Sequence, residues 1–384
     1  MDDSLYFSEQ HHHVREMVRD FSRTHIAPVA AELDRTSTFP WENIKAMGEL
    51  GLLGVPWGEE LGGAGMDQLS YYITIHEMAK VDASHALTIS AHTNLGTSPI
   101  VEFGTEEQKR RYVPLLASGQ VLGGFGLTEP GAGSDAGSTA TTAVDRGDHY
   151  VINGSKIFIS NGQIADLFVV VVKTDPKANP PHRGVSLILV EADAPGFVRG
   201  RKLDKLGFRG QDTSELFFED CRVPVTNLLG GEGGGFKMLM EKLQQERICI
   251  AVTAVASCRR ALADTVDYVK QRHAFGQPIA AFQNTQFKLA ELATQVEVGQ
   301  AFVDRLLAAH VRGEDVVMEA SMAKWWTTDL QKRVTTDCLQ LHGGYGFMLE
   351  YPISTDFADA AVQSIYAGSN EIMKVIIARR MGLG

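Results

Sequence analysis

Apolar and polar positions follow three successive rhythms along the chain. Up to about residue 120 the period is helical. Ser8 is placed to cap a helix whose apolar positions include Val14, Met17, Val18 and Phe21. Pro40 opens a second helix carrying Ile44, Met47, Leu50 and Leu53, which Gly51, Gly54 and Pro56 end. A loop with Gly62, Gly63 and Gly65 follows. Leu69 to Lys80 and Leu87 to Phe103 then read as buried, largely apolar helices.

Near residue 121 the rhythm shortens. Tyr150 to Asn153, Leu167 to Lys173, Val185 to Val190 and Glu215 to Phe218 are short runs rich in Val, Ile, Leu and Phe, separated by Gly, Pro, Asp and Asn. That punctuation predicts strands of a small β domain. Within DRGDHYVINGSKIFISNG, the Asn153-Gly154 pair predicts a hairpin. From about residue 233 the helical period returns. It predicts helices over Phe236 to Arg259, Arg260 to Gln271, Phe287 to Val311, Glu314 to Gln340 and Glu371 to Met381. The order gives an α+β chain of three domains: helical over 1–120, β over 121–232 and helical over 233–384.

Composition narrows the function. A 44% hydrophobic and 22% charged chain has ample material for a core. A net charge of −11 without a basic footprint argues against nucleic-acid binding. No apolar run approaches the ~18 residues of a membrane span. The start, MDDSLYFSEQ, lacks the basic-then-apolar pattern of a signal peptide. Cys221, Cys249, Cys258 and Cys338 form no CxxC pair, so no structural metal or disulfide is expected and a reducing compartment fits. His11, His12 and His13 read as a solvated helix face rather than a metal tract. The 38 glycines, about 10% against a usual share of roughly 7%, are clustered.

Four constellations could carry chemistry. In LTEPGAGSD, Leu127 to Asp135, small residues let the backbone approach a ligand and present amides. A pyrophosphate cradle and an ordinary tight turn both fit. In KIFISNG, regular alternation would put Phe158 and Ser160 on one strand face, bordering a planar ligand or merely the core. The helix from Phe236 carries an apolar stripe of Phe236, Leu239, Met240, Leu243 and Ile250. At about 100° per residue, Glu246 projects about 20° from Leu239, so a carboxylate lies on the buried stripe. Such a group either finds a buried partner or has its pKa raised, as a general base requires. Finally, Gly368 permits a tight turn after Tyr366. Ser369 or Asn370 can cap the last helix, whose start is a potential anion site.

Together these segments resemble the acyl-CoA dehydrogenase family over essentially the whole chain. The resemblance is carried by LTEPGAGSD, GSKIFISNG, RHAFGQPIAAFQ (Arg272 to Gln283), LQLHGGYG (Leu339 to Gly346) and YAGSNEI (Tyr366 to Ile372). It implies an N-terminal helical domain, a small middle β-barrel or sheet domain and a C-terminal four-helix bundle, with bound FAD and no metal. By position, Leu127 and Thr128 would meet the flavin pyrimidine edge, Ser134 the pyrophosphate, and Phe158 and Ser160 the flavin ring. Arg272, Phe275, Gln283, Gln340, Gly343 and Gly344 would hold the adenine half across a subunit interface, in a homotetramer built as a dimer of dimers. Ser369 is counted with the cofactor contacts.

The reaction so implied is α,β-dehydrogenation of an acyl-CoA to a trans-2-enoyl-CoA, with electrons passed to an electron-transferring flavoprotein. The thioester oxygen would be polarised by the Ala367 N–H. Most members carry the catalytic Glu in that turn; this chain has Ala367 there. A minority place the base on the first C-terminal helix, a position that is Glu246 here, with Glu371 as fallback. Arg247, Leu243, Ala91, Tyr366 and Gly368 are the expected substrate contacts. The small Ala91 on the expected pocket floor favours a straight medium-to-long chain; a short branched, isovaleryl-type acyl group is the alternative. An acyl-CoA oxidase and a silent acyl-CoA-binding protein are lesser readings. The expected location is the cytoplasm of a bacterium or, in a eukaryote, the mitochondrial matrix.

Overall fold

A computed structural model describes residues 6–383, so the first five residues of the acidic start lie outside the described residues. The N-terminal segment is helical. α1 (Glu9–Phe21) begins at Ser8, whose hydroxyl accepts from the His11 N–H in a reciprocal capping box. α2 (Ala27–Thr36) and α3 (Trp41–Glu49) follow. α4 (Gln68–Ala79) is buried on almost every side. The predicted helix over Leu87 to Phe103 is a longer composite: α5 (Ala83–Ile89), a π-helical stretch over Ser90–Thr97, and α6 (Ser98–Phe103). α7 (Glu106–Ala117), which the apolar pattern did not single out, closes the segment. The histidine run is a solvated face only in part: His13 is exposed and His12 half-buried. His11 is buried, and its Nε2 meets Asp67 Oδ2 at 2.9 Å.

The middle segment is an eight-stranded sheet. β1 (Gly123–Gly126), β2 (Thr142–Asp145), β3 (His149–Ser160), β4 (Leu167–Lys173), β5 (Val185–Glu191), β6 (Phe197–Lys202), β7 (Thr213–Pro224) and β8 (Leu228–Leu229) run in the spatial order β6-β7-β3-β2-β4-β5-β8, with β1 beside β4. β4 is buried on both faces, which is why its sequence is a continuous apolar run without alternation. Val169 and Val171 pack toward α6 and α7, whereas Phe168, Val170 and Val172 face the sheet's other core.

Two strand expectations change. No hairpin forms at Asn153-Gly154: β3 runs straight through, with a register shift between Ile152 and Gly154. The turn lies earlier, at residues 146–148, joining β2 to β3. A second shift between Lys156 and Ile159 inserts one residue, and Phe158 sits there with φ +61°. The regular alternation that would put Phe158 and Ser160 on one face is therefore broken by a bulge.

The C-terminal segment begins with one helix where two were expected, α8 (Gly235–Gln271) of 37 residues. The Arg259-Arg260 pair inside it is no terminus. Arg259 pairs with Glu297, and Arg260 reaches Asp356 and the Val81 carbonyl. A short hairpin, β9 (His273–Ala274) and β10 (Gln277–Pro278), leads to α9 (Gln283–Val311) and α10 (Val317–His342). α11 (Pro352–Gln363) and α12 (Asn370–Arg380) complete a bundle in which α10 packs against all four other helices. A single core joins α1, α3 and α4 to α8, α9 and α10.

Candidate active site

The site is centred on α8. Its buried face differs from the expected stripe: Leu239, Glu246 and Ile250 are buried, but Phe236 and Leu243 are half-buried and Met240 is exposed. Met238 and Lys242 are buried instead. Lys242 Nζ donates to Ser98 Oγ at 3.0 Å and pairs with Glu102. Glu246 is 5% exposed. Burial pushes its carboxyl up to about 7, and a hydrogen bond from Asn94 offsets part of that rise. Asn94 Nδ2 donates to Glu246 Oε2 at 3.0 Å and is the one hydrogen-bond partner of this carboxylate among the described residues. Arg247 is also buried; its Nε lacks a partner, and burial lowers its pKa to about 10.

Opposite stands the turn Tyr366–Ser369. Ala367 has φ +52° and Gly368 φ +89°, two successive left-handed residues. Glycine adopts that conformation freely, but alanine is strained in it, and such strain gathers at functional turns. The Ala367 N–H has no hydrogen-bond partner among the described residues. The turn is held from below. Lys324, fully buried on α10, donates to the Gly368 carbonyl at 2.8 Å and to Asn370 Oδ1 at 3.1 Å. Burial pushes the Lys324 ammonium down to about 7. Tyr366 hydrogen-bonds Gln363 Oε1 at 2.7 Å, and its hydroxyl feels the Glu246 charge. Ser369 caps α12, accepting from the Ile372 N–H. Glu371 is exposed, and hydrogen bonds from its own backbone and from Ser369 hold it below the usual carboxylate range. It stays ionised and solvated, unlike Glu246.

The LTEPGAGSD loop folds into a tight turn, closed by reciprocal backbone hydrogen bonds between Glu129 and Ala132 and anchored by one ion pair. Lys156 of β3, fully buried, donates to Glu129 Oε1 at 2.7 Å, to the Leu127 carbonyl at 3.1 Å and to Thr139 Oγ1 at 3.1 Å. Glu129 also accepts from the Ala140 and Thr141 N–H groups. Burial alone would raise the Glu129 pKa, but Lys156 and these donors bring it down to about 2. The loop's outer arm is thus free. Ser134 is exposed, and a Cβ at Gly131 or Gly133 would meet nothing within 4 Å. The fold itself does not need glycine there, whereas a ligand lying on the backbone does. Thr128 gives its carbonyl to the Ile157 N–H at 2.9 Å, which ties the loop to the bulge that turns Phe158 outward, 64% exposed.

A third set lies at the far end of α8. Arg272, Gly343 and Gly344 line a cavity of about 390 Å³ with Tyr268, His342 and Tyr345. Tyr268 stacks on His342 at 4.2 Å, and Arg272 lies over the Tyr345 ring at 5.6 Å. Gln283 and Gln340 are exposed, and Phe275 is 96% exposed with φ +52°.

Comparison with known proteins decides the relationship. The N-terminal, middle and C-terminal domain models of acyl-CoA dehydrogenase match residues 8–120, 124–221 and 233–382. This chain belongs to the acyl-CoA dehydrogenase family. The mouse mitochondrial long-chain specific acyl-CoA dehydrogenase is 44% identical over 98% of this chain and 87% of its own length. The short-chain specific acyl-CoA dehydrogenase of Clostridium acetobutylicum is 42% identical over 96% of this chain and 97% of its own. The crystal structure of an acyl-CoA dehydrogenase from Geobacillus kaustophilus superposes with a TM-score of 0.97 at 47% identity, covering 99% of this chain and 100% of that one.

Acyl-CoA dehydrogenases are FAD-dependent oxidoreductases. The residues present fit the cofactor. Glycines that meet nothing, an outward aromatic on a bulge and an Arg-lined cavity are features a dinucleotide would cover. Among the described residues no cluster could hold a metal ion, and no helix is long and apolar enough to cross a membrane. The four cysteines are buried and free. Sequence reasoning missed Asn94, Lys156, Lys242 and Lys324. Lys156 stands inside GSKIFISNG, where strand alternation could have flagged it, whereas Lys324 shares its helix face with Ser321, Thr328 and Gln331 and so reads as solvated. Asn94 gave no signal, because its partner lies 152 positions away in the chain.

Proposed function

We propose that this acyl-CoA dehydrogenase removes the α-proton of a straight medium- to long-chain acyl-CoA with Glu246 and delivers trans-2-enoyl-CoA. The observation that carries the reading is the buried Glu246 carboxylate on α8, pushed up to about 7, held by Asn94 alone and electrically coupled to the turn that bears an unpartnered amide; Asp359, also buried and raised to about 7, is instead tied to the Phe208 N–H. Bound FAD supplies the hydride acceptor for Cβ. Glu246 takes the α-proton on its carboxylate, whose tuning near pH 7 matches the work of a general base. The Ala367 N–H donates to the thioester oxygen, where negative charge develops as the proton leaves. Lys324 holds that turn in place through the Gly368 carbonyl. Half-buried Leu243 and buried Ala91 border the acyl group, while Arg247, Tyr366 and Gly368 face the thioester and CoA side.

Leu127, Thr128, Ser134, Phe158 and Ser160 serve the flavin half of FAD, and Ser369 adds a contact near the last helix. Arg272, Phe275, Gln283, Gln340, Gly343 and Gly344 serve the adenine half of a neighbouring subunit's cofactor in a homotetramer. The electron acceptor is an electron-transferring flavoprotein. Domains at 1–120, 121–232 and 233–384 divide the work among cover, cofactor and base.

Replacing Glu246 with Gln should keep bound FAD yet slow turnover by at least about 10³-fold, the scale of a lost general base. Near-normal turnover would refute the assignment. Overall identity to long-chain and short-chain relatives is too similar to set chain length. Ala91, small and buried in the same π-helical stretch as Asn94, supports the longer reading. Anaerobic flavin bleaching across acyl-CoAs of increasing length, with isovaleryl-CoA and isobutyryl-CoA included, tests it. A maximum on the branched short acids would overturn it.

A further inference from the structure

Between α5 and α6 the chain widens into a π-helix over Ser90–Thr97. Three successive residues of this stretch bond to three different parts of the molecule. The Gly123 N–H donates to His92 Nδ1 at 3.0 Å, so the ring hydrogen sits on Nε2, which donates to the Leu116 carbonyl at 3.0 Å. Burial pushes His92 down to about 4, so this brace stays neutral. Thr93 Oγ1 donates to the Leu53 carbonyl at 3.0 Å. Asn94 Nδ2 donates to Glu246 Oε2 at 3.0 Å. Thr97 Oγ1 closes the wide turn onto the His92 carbonyl at 2.9 Å.

A π turn carries one more residue than an α turn, which re-aims the side chains that follow. Here the re-aimed stretch is pinned by His92 and Thr93 on its far sides, and Asn94 is left facing α8 with 3% exposure. A carboxamide neither ionises nor swings freely in such a place.

We propose that Asn94 is a positioning residue for proton abstraction: the π stretch presents its amide to Oε2 of Glu246, fixes the carboxylate, and leaves Oε1 for the α-proton. The proposal rests on Glu246 being the base. The other titratable groups coupled to this carboxylate are Tyr71 and Tyr72 of α4, Cys249 of α8 and Tyr366 of the turn. Burial raises all four, Cys249 to about 12, so all are neutral when Glu246 titrates. The nearby cations on α8 are Lys242, engaged by Glu102, and Arg247, which neighbours Glu246 in sequence but makes no hydrogen bond to it. The ionised form of Glu246 therefore leans on Asn94, and removing that donor moves its titration upward.

The test measures anaerobic flavin reduction by saturating acyl-CoA against pH, in the FAD-loaded wild type, Asn94→Ala, the isosteric Asn94→Asp and Glu246→Gln. With Asn94→Ala the midpoint of the rising limb should move up by about one pH unit, making reduction about fivefold slower at pH 7 and recovering it in alkali, as loss of a hydrogen bond to a charged group requires. Asn94→Asp, which keeps the shape but exchanges the donor for a second acid, should move the limb further. KM should change by less than about threefold, because uniform binding is untouched. A wild-type limb and rate in both Asn94 variants, with Glu246→Gln inactive, would overturn the role of Asn94 and leave the base standing. An active Glu246→Gln enzyme would instead remove the base itself.

Discussion

At the scale of the residue, Glu246 serves the reaction at the expense of the fold. Its pKa rises from an ordinary 4.5 to about 7 because folding takes the carboxylate out of water. The folded chain then holds the proton more tightly than the unfolded chain between those values. Stability is accordingly full below about pH 4.5 for this group and is lost as pH rises through about 7. Glu246→Gln, which removes the charge, should stabilise the protein at pH 8 by an amount on the order of 3 kcal/mol and make little difference at pH 5. Thermal denaturation at the two pH values checks this. An equal shift at both would show that the carboxylate is not held near neutrality. This residue was legible from sequence because seven residues make almost two full turns, which puts Glu246 beneath Leu239. The partner that tunes it was not legible, since a π stretch leaves no mark in composition or period.

At the scale of the element, β3 shows where local signals mislead. Asn-Gly is the strongest short-range hairpin dipeptide, yet here it sits within a strand. Gly154 has φ +147°, and a Cβ on it would lie 2.7 Å from the Thr141 Cα. The glycine is needed because Thr141, just before β2, crowds the strand, not because the chain reverses. Gly154→Ala should therefore destabilise the protein by about 1–3 kcal/mol through strain at a special backbone position. A denaturation midpoint equal to wild type would contradict that crowding. The bulge farther along the same strand turns Phe158 outward, and pattern alone offers only regular pleating. Strands buried on both faces, β4 and β5, are by contrast read with little error, because nearly continuous apolar runs, broken only by Ser186 in β5, leave few alternatives. The sequence pattern divides α8 in two between Arg259 and Arg260, where contacts to Glu297, Asp356 and the Val81 carbonyl in fact sit on one continuous helix.

At the scale of the whole molecule, the order helical, sheet, helical follows from periodicity alone, while the contacts that join the segments do not. Asn94 and Glu246, Lys324 and Gly368, and Lys156 and Glu129 each cross from one element to another. Pattern reading sees one element at a time. Length adds a further constraint. Glu246 and Arg272 stand 26 residues apart on α8, about 39 Å at ~1.5 Å per residue. That separation suits the proposed reading, in which the adenine grip at the far end of α8 serves a neighbouring subunit's cofactor and not the centre beside Glu246. A chain spoiled at Glu246 and a chain spoiled at Arg272 would each be defective alone. Mixed, unfolded and reassembled together, they should regain up to about a quarter of wild-type activity, since random pairing lets one intact base meet one intact adenine grip. No recovery would mean that each chain is self-sufficient. Under the proposed assembly the long helix works as a measuring stick: it would place a chain's base and its adenine grip in different active centres, so that two broken genes make one working enzyme.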